Sequence, residues 1–517
     1  MQGKDIGAVR RLRAKLLANQ YRPKYHVVSP EGSSIPFDPN GAIYYKGRYH
    51  LFYIFQDEGI HKWGHISSHD LLHWIQHPTA LSPDDQSPEE GIFSGSAFTL
   101  MEDGTPLLMY HGVNAGNCVA IADDASLNTW TKMPANPIVK IPLPSDKEYH
   151  LFTSWDPHAW QEKGLYRAIF GGPEPAMFVS KDLTTWTYQG PFVERGQRLN
   201  QGYEDYSCPD FFALGDKHIF MFISHTRGVQ YYVGRYEDGV FTPEKHERMN
   251  QYGGQFFANE SLLGPGDRRI LWGWITEARQ LESLEEEEFS GVLSLPRVLK
   301  LGIDGLVDVS PVEELKQLRA QVLVVGTTNL KGRERLSLRG RQLEVVLSVS
   351  SNDLTKAGVV LCLHESGKEE TLVYYDFETQ EVVVDTSRAS LRKDLFAPVK
   401  LVDGLNCPRE AIEARRASIV KEIQDNAWLP VPEEPTRQTG ECYVQRLRMS
   451  LREGKRIDLR IFLDASVIEV FVNNSKCLSQ RVYPSFSESD LVALFSEGGE
   501  STFHEMSVWK LAPTNAW

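Results

Sequence analysis

SSHDLLHW at residues 67–74, DDASLNTW at residues 123–130 and VSKDLTTW at residues 179–186 are three versions of one segment. Each ends in Trp, with Leu three residues before it and Asp or Ser four before it. Trp74, Trp130 and Trp186 stand 56 residues apart in both intervals. A weaker fourth version, RYEDGVF, ends at Phe241, 55 residues further on. A fixed interval of this size is the signature of a repeat architecture in which each unit is one supersecondary element. The tryptophans, recurring at one phase, are read as blade-packing residues.

A second motif interleaves with the first. It is an apolar strand, a Gly-containing turn and another apolar strand: GAIYYKGRYHLFYIF from Gly41, SAFTLMEDGTPLLMYHG from Ser96, HAWQEKGLYRAIFGG from His158, DFFALGDKHIFMFISH from Asp210 and ANESLLGPGDRRILWGW from Ala258. β-Branched and aromatic residues flanking such turns read as hairpins. Five hairpins at this spacing fit five four-stranded blades, so residues 22–308 are predicted to form a five-bladed β-propeller. The near-constant interval disfavours an array of sandwiches.

The pattern changes after Pro296. LESLEEEEFS, residues 281–290, reads as a solvated loop or short helix beside the last blade. SPVEELKQLRAQ has Ser310 as a candidate cap and Pro311 in the first turn, which predicts a linker helix over 309–322. Beyond it, RQLEVVLSVS, AGVVLCLHE, TLVYYDF, EVVVDTS, IDLRIFLDASVIEVFVN and DLVALFSE alternate in the manner of strands. Residues 323–517 are therefore expected to form an antiparallel β-sandwich. Residues 1–21, basic and amphipathic, read as an N-terminal helical extension. The fold class is thus all-β: a five-bladed propeller followed by a C-terminal sandwich.

Bulk properties narrow the function. The chain has 517 residues, 41% hydrophobic and 24% charged, with 11% aromatic. A net charge of -14 disfavours nucleic acid and anionic membrane as partners, because a like-signed field repels both. No apolar run is long enough for a transmembrane helix. The N-terminus lacks the apolar core of a signal peptide, so a cytoplasmic location is expected, or a secreted one if a leader has been removed. Cys118, Cys208, Cys362, Cys407, Cys442 and Cys477 show no CxxC pair and no metal-ligand spacing; they are read as reduced packing residues. No metal and no cofactor is expected.

In a propeller the first strand of every blade lines the central channel, so residues at the strand starts converge on one funnel mouth. Blade one begins IPFDPNG with Asp38, blade two IFSGSAF with Ser94, and blade three TSWDPHAW with Asp156. Blade four begins QGYEDYSCPDFF with Glu204, Asp205 and Asp210, and blade five GGQFFANES with Phe257 and Glu260. A single Asp-Pro-Asn-Gly would serve as a type I turn. Acids recurring at one phase in three blades point instead to paired carboxylates around an aromatic funnel, which is the equipment of glycoside hydrolysis. No GxSxG, HExxH or phosphate-loop motif competes.

The chain resembles glycoside hydrolase family 32, the invertase, inulinase and levanase family. The resemblance rests on FDPNGAIYYKGRYHLFYIF, WGHISSHDLLHW, FSGSAF, WDP, CPDFF, RRILWGWI, FSGVLSLPRVL and LRIFLDASVIEVFVN, and spans nearly the whole chain. It implies a propeller followed by a sandwich. It implies Asp38 as the nucleophile that forms a fructosyl intermediate, Asp156 as the group that holds fructose hydroxyls and stabilises the transition state, and Asn40, Trp63, Phe93 and Ser94 as shapers of the pocket. Three departures stand out. Trp155 replaces the Arg of the family's Arg-Asp-Pro. IFQDE, residues 54–58, replaces its Gln-x-Asn-Pro, with Gln56 as the substitute. Ser207 stands where the family's acid/base Glu precedes Cys-Pro, leaving Glu204 as the first choice for acid/base and Asp205 as the second. Glu260 is a candidate for contact with substrate hydroxyls. His158 and His225 are weaker candidates, each more simply read as a strand residue.

The function expected is a retaining hydrolase that releases fructose from sucrose, fructo-oligosaccharides, inulin or levan. Fructosyl transfer, an inverting five-bladed glycosidase acting on arabinan or xylan, and a non-catalytic carbohydrate-binding protein are the alternatives. The partner expected is a carbohydrate; sandwich surfaces of this kind can pair, which leaves a homodimer open.

Overall fold

The computed structural model describes residues 6–32, 34–194, 205–224, 228–251, 254–279, 281–395, 444–452 and 455–514. Among the described residues, four four-stranded antiparallel sheets and one five-stranded sheet, in blade two, make the propeller. Their innermost strands are Pro39–Tyr45, Ile92–Thr99, Pro157–Glu162, Ser207–Leu214 and Phe256–Gly264. Each of these lies against the innermost strands of the blades on either side, and the fifth meets the first, so the ring closes. All five predicted hairpins fall on the first and second strands of a blade. The tight turns at Lys46–Gly47 and Lys163–Gly164 have positive φ at both residues, the twist that two-residue hairpins favour.

The Trp repeat has a local cause. Leu71, Leu127 and Leu183 all take left-handed backbone, with φ of 67°, 57° and 67°, and all three are buried. A carboxylate braces each turn. Asp70 Oδ1 accepts the Leu72 and His73 N–H at 3.0 and 2.8 Å, and Asp182 Oδ1 accepts the Thr184 and Thr185 N–H at 2.9 and 2.8 Å. In the second copy Asp124 does this from further upstream, taking the Asn128 and Thr129 N–H. These are Asx-type turns, which tolerate left-handed backbone by offering it hydrogen bonds. The indoles of Trp130 and Trp186 donate back to the Leu127 and Leu183 carbonyls at 3.1 and 2.9 Å. Each turn delivers the chain into the fourth strand of its blade, at Trp74–Gln76, Trp130–Lys132 and Thr187–Pro191. RYEDGVF differs: Asp238 and Gly239 form a plain hairpin turn between Gly228–Glu237 and Val240–Arg248, so Phe241 shares the strand but not the turn.

The acidic stretch contains a helix, Leu281–Glu287, inserted between the second and third strands of blade five. The segment expected as a linker helix over 309–322 is built otherwise. Val307–Pro311 completes blade five, Glu313–Leu318 forms a 3-10 turn, and Arg319–Val325 is already a strand. Val312 caps that turn without a side-chain bond, and Ser310 lies in the strand before it. Val312, Leu315 and Leu318 are buried at a spacing of three, which matches the three residues per turn of a 3-10 helix better than 3.6. Among the described residues, the twelve strands that follow pair antiparallel in one nearly closed sandwich around its own core. The N-terminal helix occupies Ile6–Ala18. Among the described residues, no helix is long and apolar enough to cross a membrane.

Propeller and sandwich share buried apolar packing in which Trp272 and Trp274 join Phe462, Phe471 and Tyr483. A buried polar clasp runs through it. Asp464 accepts the backbone N–H of Lys24, Tyr25 and His26 at 2.7–2.9 Å, and His26 bridges Asp464 and Glu469 at 3.0 and 3.1 Å. Glu469 also pairs with Arg297 of blade five. This clasp anchors the irregular segment that leads into Asp38.

Candidate active site

Four of the five innermost strands carry one extra residue near their start. The bulges lie between Asn40 and Ile43, Ile92 and Gly95, Ser207 and Asp210, and Phe257 and Asn259. A bulge re-aims the side chains beside it and twists the strand. Gly41, Cys208 and Ala258 take positive φ of 55°, 44° and 44° there. Sterics leave little choice at two of these sites. A Cβ on Gly95 would stand 2.0 Å from the Met109 carbonyl oxygen, and one on Gly41 would stand 2.9 Å from Phe52. The innermost strand of blade three pairs with the second without a bulge; its acid, Asp156, directly precedes that strand.

The ring closure joins the two leading carboxylates through one network. Ser94 Oγ donates to Asp38 Oδ2 at 3.3 Å. The Cys208 N–H donates to Asp156 Oδ2 at 3.0 Å, and its Sγ lies 3.5 Å from Ser94 Oγ and 3.7 Å from the same Asp156 oxygen. Burial, with Asp156 and Asp38 beside it, holds the Cys208 thiol well above the usual thiol range, so it is a neutral group between two carboxylates. Both carboxylates are buried side chains, Asp38 9% exposed and Asp156 5%; such groups persist only with hydrogen-bond partners. Asn40 ties the arrangement together: its amide donates to the Asp38 carbonyl at 2.8 Å and its oxygen accepts the Gly95 N–H at 2.9 Å.

Aromatic groups line the blade-one to blade-three side. Phe93 is half-buried, with His61 at 4.7 Å and Trp155 at 6.3 Å between ring centroids. Trp63 is fully buried and donates to the Phe93 carbonyl at 3.1 Å, so it fixes the position of Phe93. Exposed Gln56 bonds His61 at 2.8 Å. Trp155 Nε1 donates to Ser207 Oγ at 2.9 Å, and Ser207 Oγ lies 3.5 Å from Asp205 Oδ2. Asp205 is held at the rim of blade three, where its carbonyl accepts the Gly172 N–H at 2.8 Å while the Asp156 carbonyl accepts that of Gly171. Glu204 and His225 lie outside the described residues.

Two family models match. Glycosyl hydrolases family 32 N-terminal domain matches residues 32–310, and Glycosyl hydrolases family 32 C terminal matches residues 314–510. The chain belongs to glycosyl hydrolases family 32. It is therefore a glycoside hydrolase by class. Similar proteins include the sucrose-6-phosphate hydrolase of Zymomonas mobilis, 25% identical over 97% of this chain and 94% of that protein. Another is the fructan 6-exohydrolase of Beta vulgaris, 28% identical over 95% and 87%. Among solved structures, fructan 1-exohydrolase IIa from Cichorium intybus superposes with a TM-score of 0.77 at 22% identity, over 96% of this chain and 98% of that one, and has the same fold.

Trp155 and Ser207 form a single contact, in which the indole N–H donates to the serine hydroxyl, an uncharged donor to an uncharged acceptor.

Glu260 is 5% exposed, and its Oε1 accepts the Ala42 N–H at 2.7 Å, bracing blade five against blade one. Behind it lies Asp210. Burial raises both carboxyls; the Asp210 charge raises Glu260 further, and the Arg269 guanidinium lowers both. His158 donates from Nε2 to the Phe211 carbonyl at 3.1 Å, with Asp210 3.9 Å from its other nitrogen; burial and Arg269 push it down to about 3, so it is neutral. Sequence reasoning gave Cys208 only a supporting place, yet its N–H is a direct ligand of Asp156. It also passed over Asn117, whose amide donates to the Trp155 carbonyl at 2.9 Å, and His111, whose ring lies 4.7 Å from that indole. Cys208 could have been found from its place beside Pro209 at the blade-four phase. His111 and Asn117 sit on second and third strands, where no phase argument reaches.

Proposed function

We propose that the protein releases fructose from β-fructofuranosides such as sucrose, fructo-oligosaccharides, inulin or levan, with retention of configuration. The observation that carries this reading is the network joining Asp38 and Asp156 through Ser94 and Cys208 at the funnel mouth. The Asp38 carboxylate attacks C2 of a terminal fructosyl group while the glycosidic bond breaks. Asp156, fixed by the Cys208 N–H, holds the fructose hydroxyls as positive charge develops on the ring. Glu204 is assigned as the acid that protonates the leaving oxygen and the base that later activates water, with Asp205 at the rim as the second choice. Asn40 and Trp63 set the positions of Asp38 and Phe93; Phe93, Ser94, Gln56 and Trp155 form the walls. Relatives named sucrose-6-phosphate hydrolase and fructan 6-exohydrolase support the substrate class.

The neutral Trp155–Ser207 pair favours a second reading, a carbohydrate-binding protein that no longer cleaves. Incubation with sucrose, inulin and levan, followed by assay of free fructose and of transfer products, separates the two. Fructose release that disappears in Asp38→Ala supports hydrolysis; intact, folded protein that releases none sinks it. Loss of activity in Asp205→Ala but not in Glu204→Ala reassigns the acid/base. Rescue of the inactive acid/base variant by azide supports retention.

A further inference from the structure

The innermost strands of neighbouring blades belong to separate sheets, so no backbone ladder joins them. Side chains near their starts make the link at each seam instead. Asn40 Oδ1 in blade one accepts the Gly95 N–H of blade two at 2.9 Å, and Ser96 Oγ in blade two accepts the Ala159 N–H of blade three at 3.0 Å. Asp156 Oδ2, at the start of blade three, accepts the Cys208 N–H of blade four at 3.0 Å. Asn259 Nδ2 in blade five donates to the Cys208 carbonyl at 3.4 Å, the longest of the links. Glu260 Oε1 in blade five accepts the Ala42 N–H of blade one at 2.7 Å, the shortest, and so closes a belt around the funnel. Ala42 lies inside the blade-one bulge, where the register to the second strand passes from Asn40 to Ile43. A buried N–H left without an acceptor is costly, so the bulge is fixed only while Glu260 reaches it. Asp38 is just upstream, its carbonyl held by the Asn40 amide at 2.8 Å and by the Ile54 N–H at 3.0 Å. Glu260 is buried, and burial with the Asp210 charge raises its carboxyl well above the usual range against the Arg269 guanidinium that lowers it. It therefore works as a neutral hydrogen-bonding group.

Resting on the reading of Asp38 as the nucleophile, we propose that Glu260 is a positioning residue for it: by closing the belt on the Ala42 N–H, Glu260 pins the blade-one bulge and with it Asn40 and the Asp38 carboxylate. Glu260 acts through blade one and not on the substrate. Asp38 must meet C2 within a few tenths of an ångström and in line, so a bulge free to shift costs rate at the attack step while leaving the sugar-binding walls in place. The belt is as strong as its closing seam, because a ring of blades opens where one link is lost.

Steady-state kinetics on a cleaved fructoside, with circular dichroism to confirm folding, test this in the full chain. Glu260→Leu removes the acceptor, Glu260→Asp draws the carboxyl back by one methylene, and Glu260→Gln keeps an acceptor oxygen at the same reach. In Glu260→Leu and Glu260→Asp kcat is expected to fall by about tenfold to a hundredfold with KM within about threefold of wild type, and in Glu260→Gln to recover to within about threefold. Retained kcat in folded Glu260→Leu and Glu260→Asp overturns the proposal. So does a raised KM with kcat kept, which marks contact with substrate, and so does a Glu260→Gln as impaired as Glu260→Leu. Hydrogen exchange of the backbone amides around Ala42 is measured alongside and is expected to be about tenfold faster in Glu260→Leu than in wild type or Glu260→Gln. If the wild-type chain releases no fructose from sucrose, inulin or levan, the hydrolysis reading falls and the exchange decides the belt: faster exchange in Glu260→Leu alone upholds the pinning of the bulge, and equal exchange in all three overturns it.

Discussion

At the scale of single residues, the carboxylates proposed for catalysis are held by named partners. Asp38 and Asp156 are clamped by short, buried contacts to Ser94 and the Cys208 N–H. Hydrogen bonds to an ionised group are worth about 1.5–3 kcal/mol, so Ser94→Ala is expected to lower kcat/KM by about tenfold to a hundredfold with the fold intact. Steady-state kinetics with a cleaved fructoside and a circular dichroism spectrum check this together. Cys208→Ser is expected to cost less, because the backbone N–H that binds Asp156 survives the change, and activity within about fivefold of wild type is the outcome looked for. That Asp38 and Asp156 stand at blade starts was readable from phase in the repeat. What Trp155 and Ser207 do was not, because each is uninformative until the other is seen beside it.

At the scale of elements, the blades follow from local chemistry and the bulges refine them. Gly41 combines a φ of 55° with a Cβ position 2.9 Å from Phe52 and 3.1 Å from Leu108. Gly41→Ala is expected to destabilise the protein by about 1–3 kcal/mol and to reduce activity, since the bulge places Asp38 and Asn40. Thermal unfolding and initial rates read both effects. Leu127 is wholly buried in its Asx turn, and Leu127→Ala should cost about 2–5 kcal/mol with little change in KM, because that turn faces away from the funnel mouth. The hairpins and Trp turns were legible because β-turn chemistry is written in consecutive residues. The linker was misjudged for a related reason: Ser310, Pro311 and the glutamates after them carry helix-start signals, but burial of Val312, Leu315 and Leu318 at a period of three drew the chain into a 3-10 turn.

At the scale of the whole molecule, histidines set opposing pH limits. His26 lies between Asp464 and Glu469, and its bonds to them raise it against the burial that lowers it, to a net value above the ordinary 6.5. Its contribution is present in full below that ordinary value and is lost as pH rises through the raised one. His50, His111 and His158 are buried and pushed down to about 4, about 4 and about 3. Their contribution is full above the ordinary value and is lost as pH falls towards these depressed ones. The unfolding midpoint is thus expected to peak between the two limits, and a scan from about pH 4 to about pH 8 tests it. His26→Gln should flatten the alkaline side and leave the acid side unchanged. Taken alone, the sequence determined the repeat, the five hairpins, the change to a sandwich and the acids at the blade starts. These depend on side-chain period and turn residues, which act over a few positions. Only the tertiary structure decided that Trp155 meets Ser207, that the Cys208 N–H bonds Asp156 and that Trp63 is buried against Phe93. Those pairings are set by the angle at which five sheets close into a ring, a property of their mutual packing that no stretch of chain carries by itself.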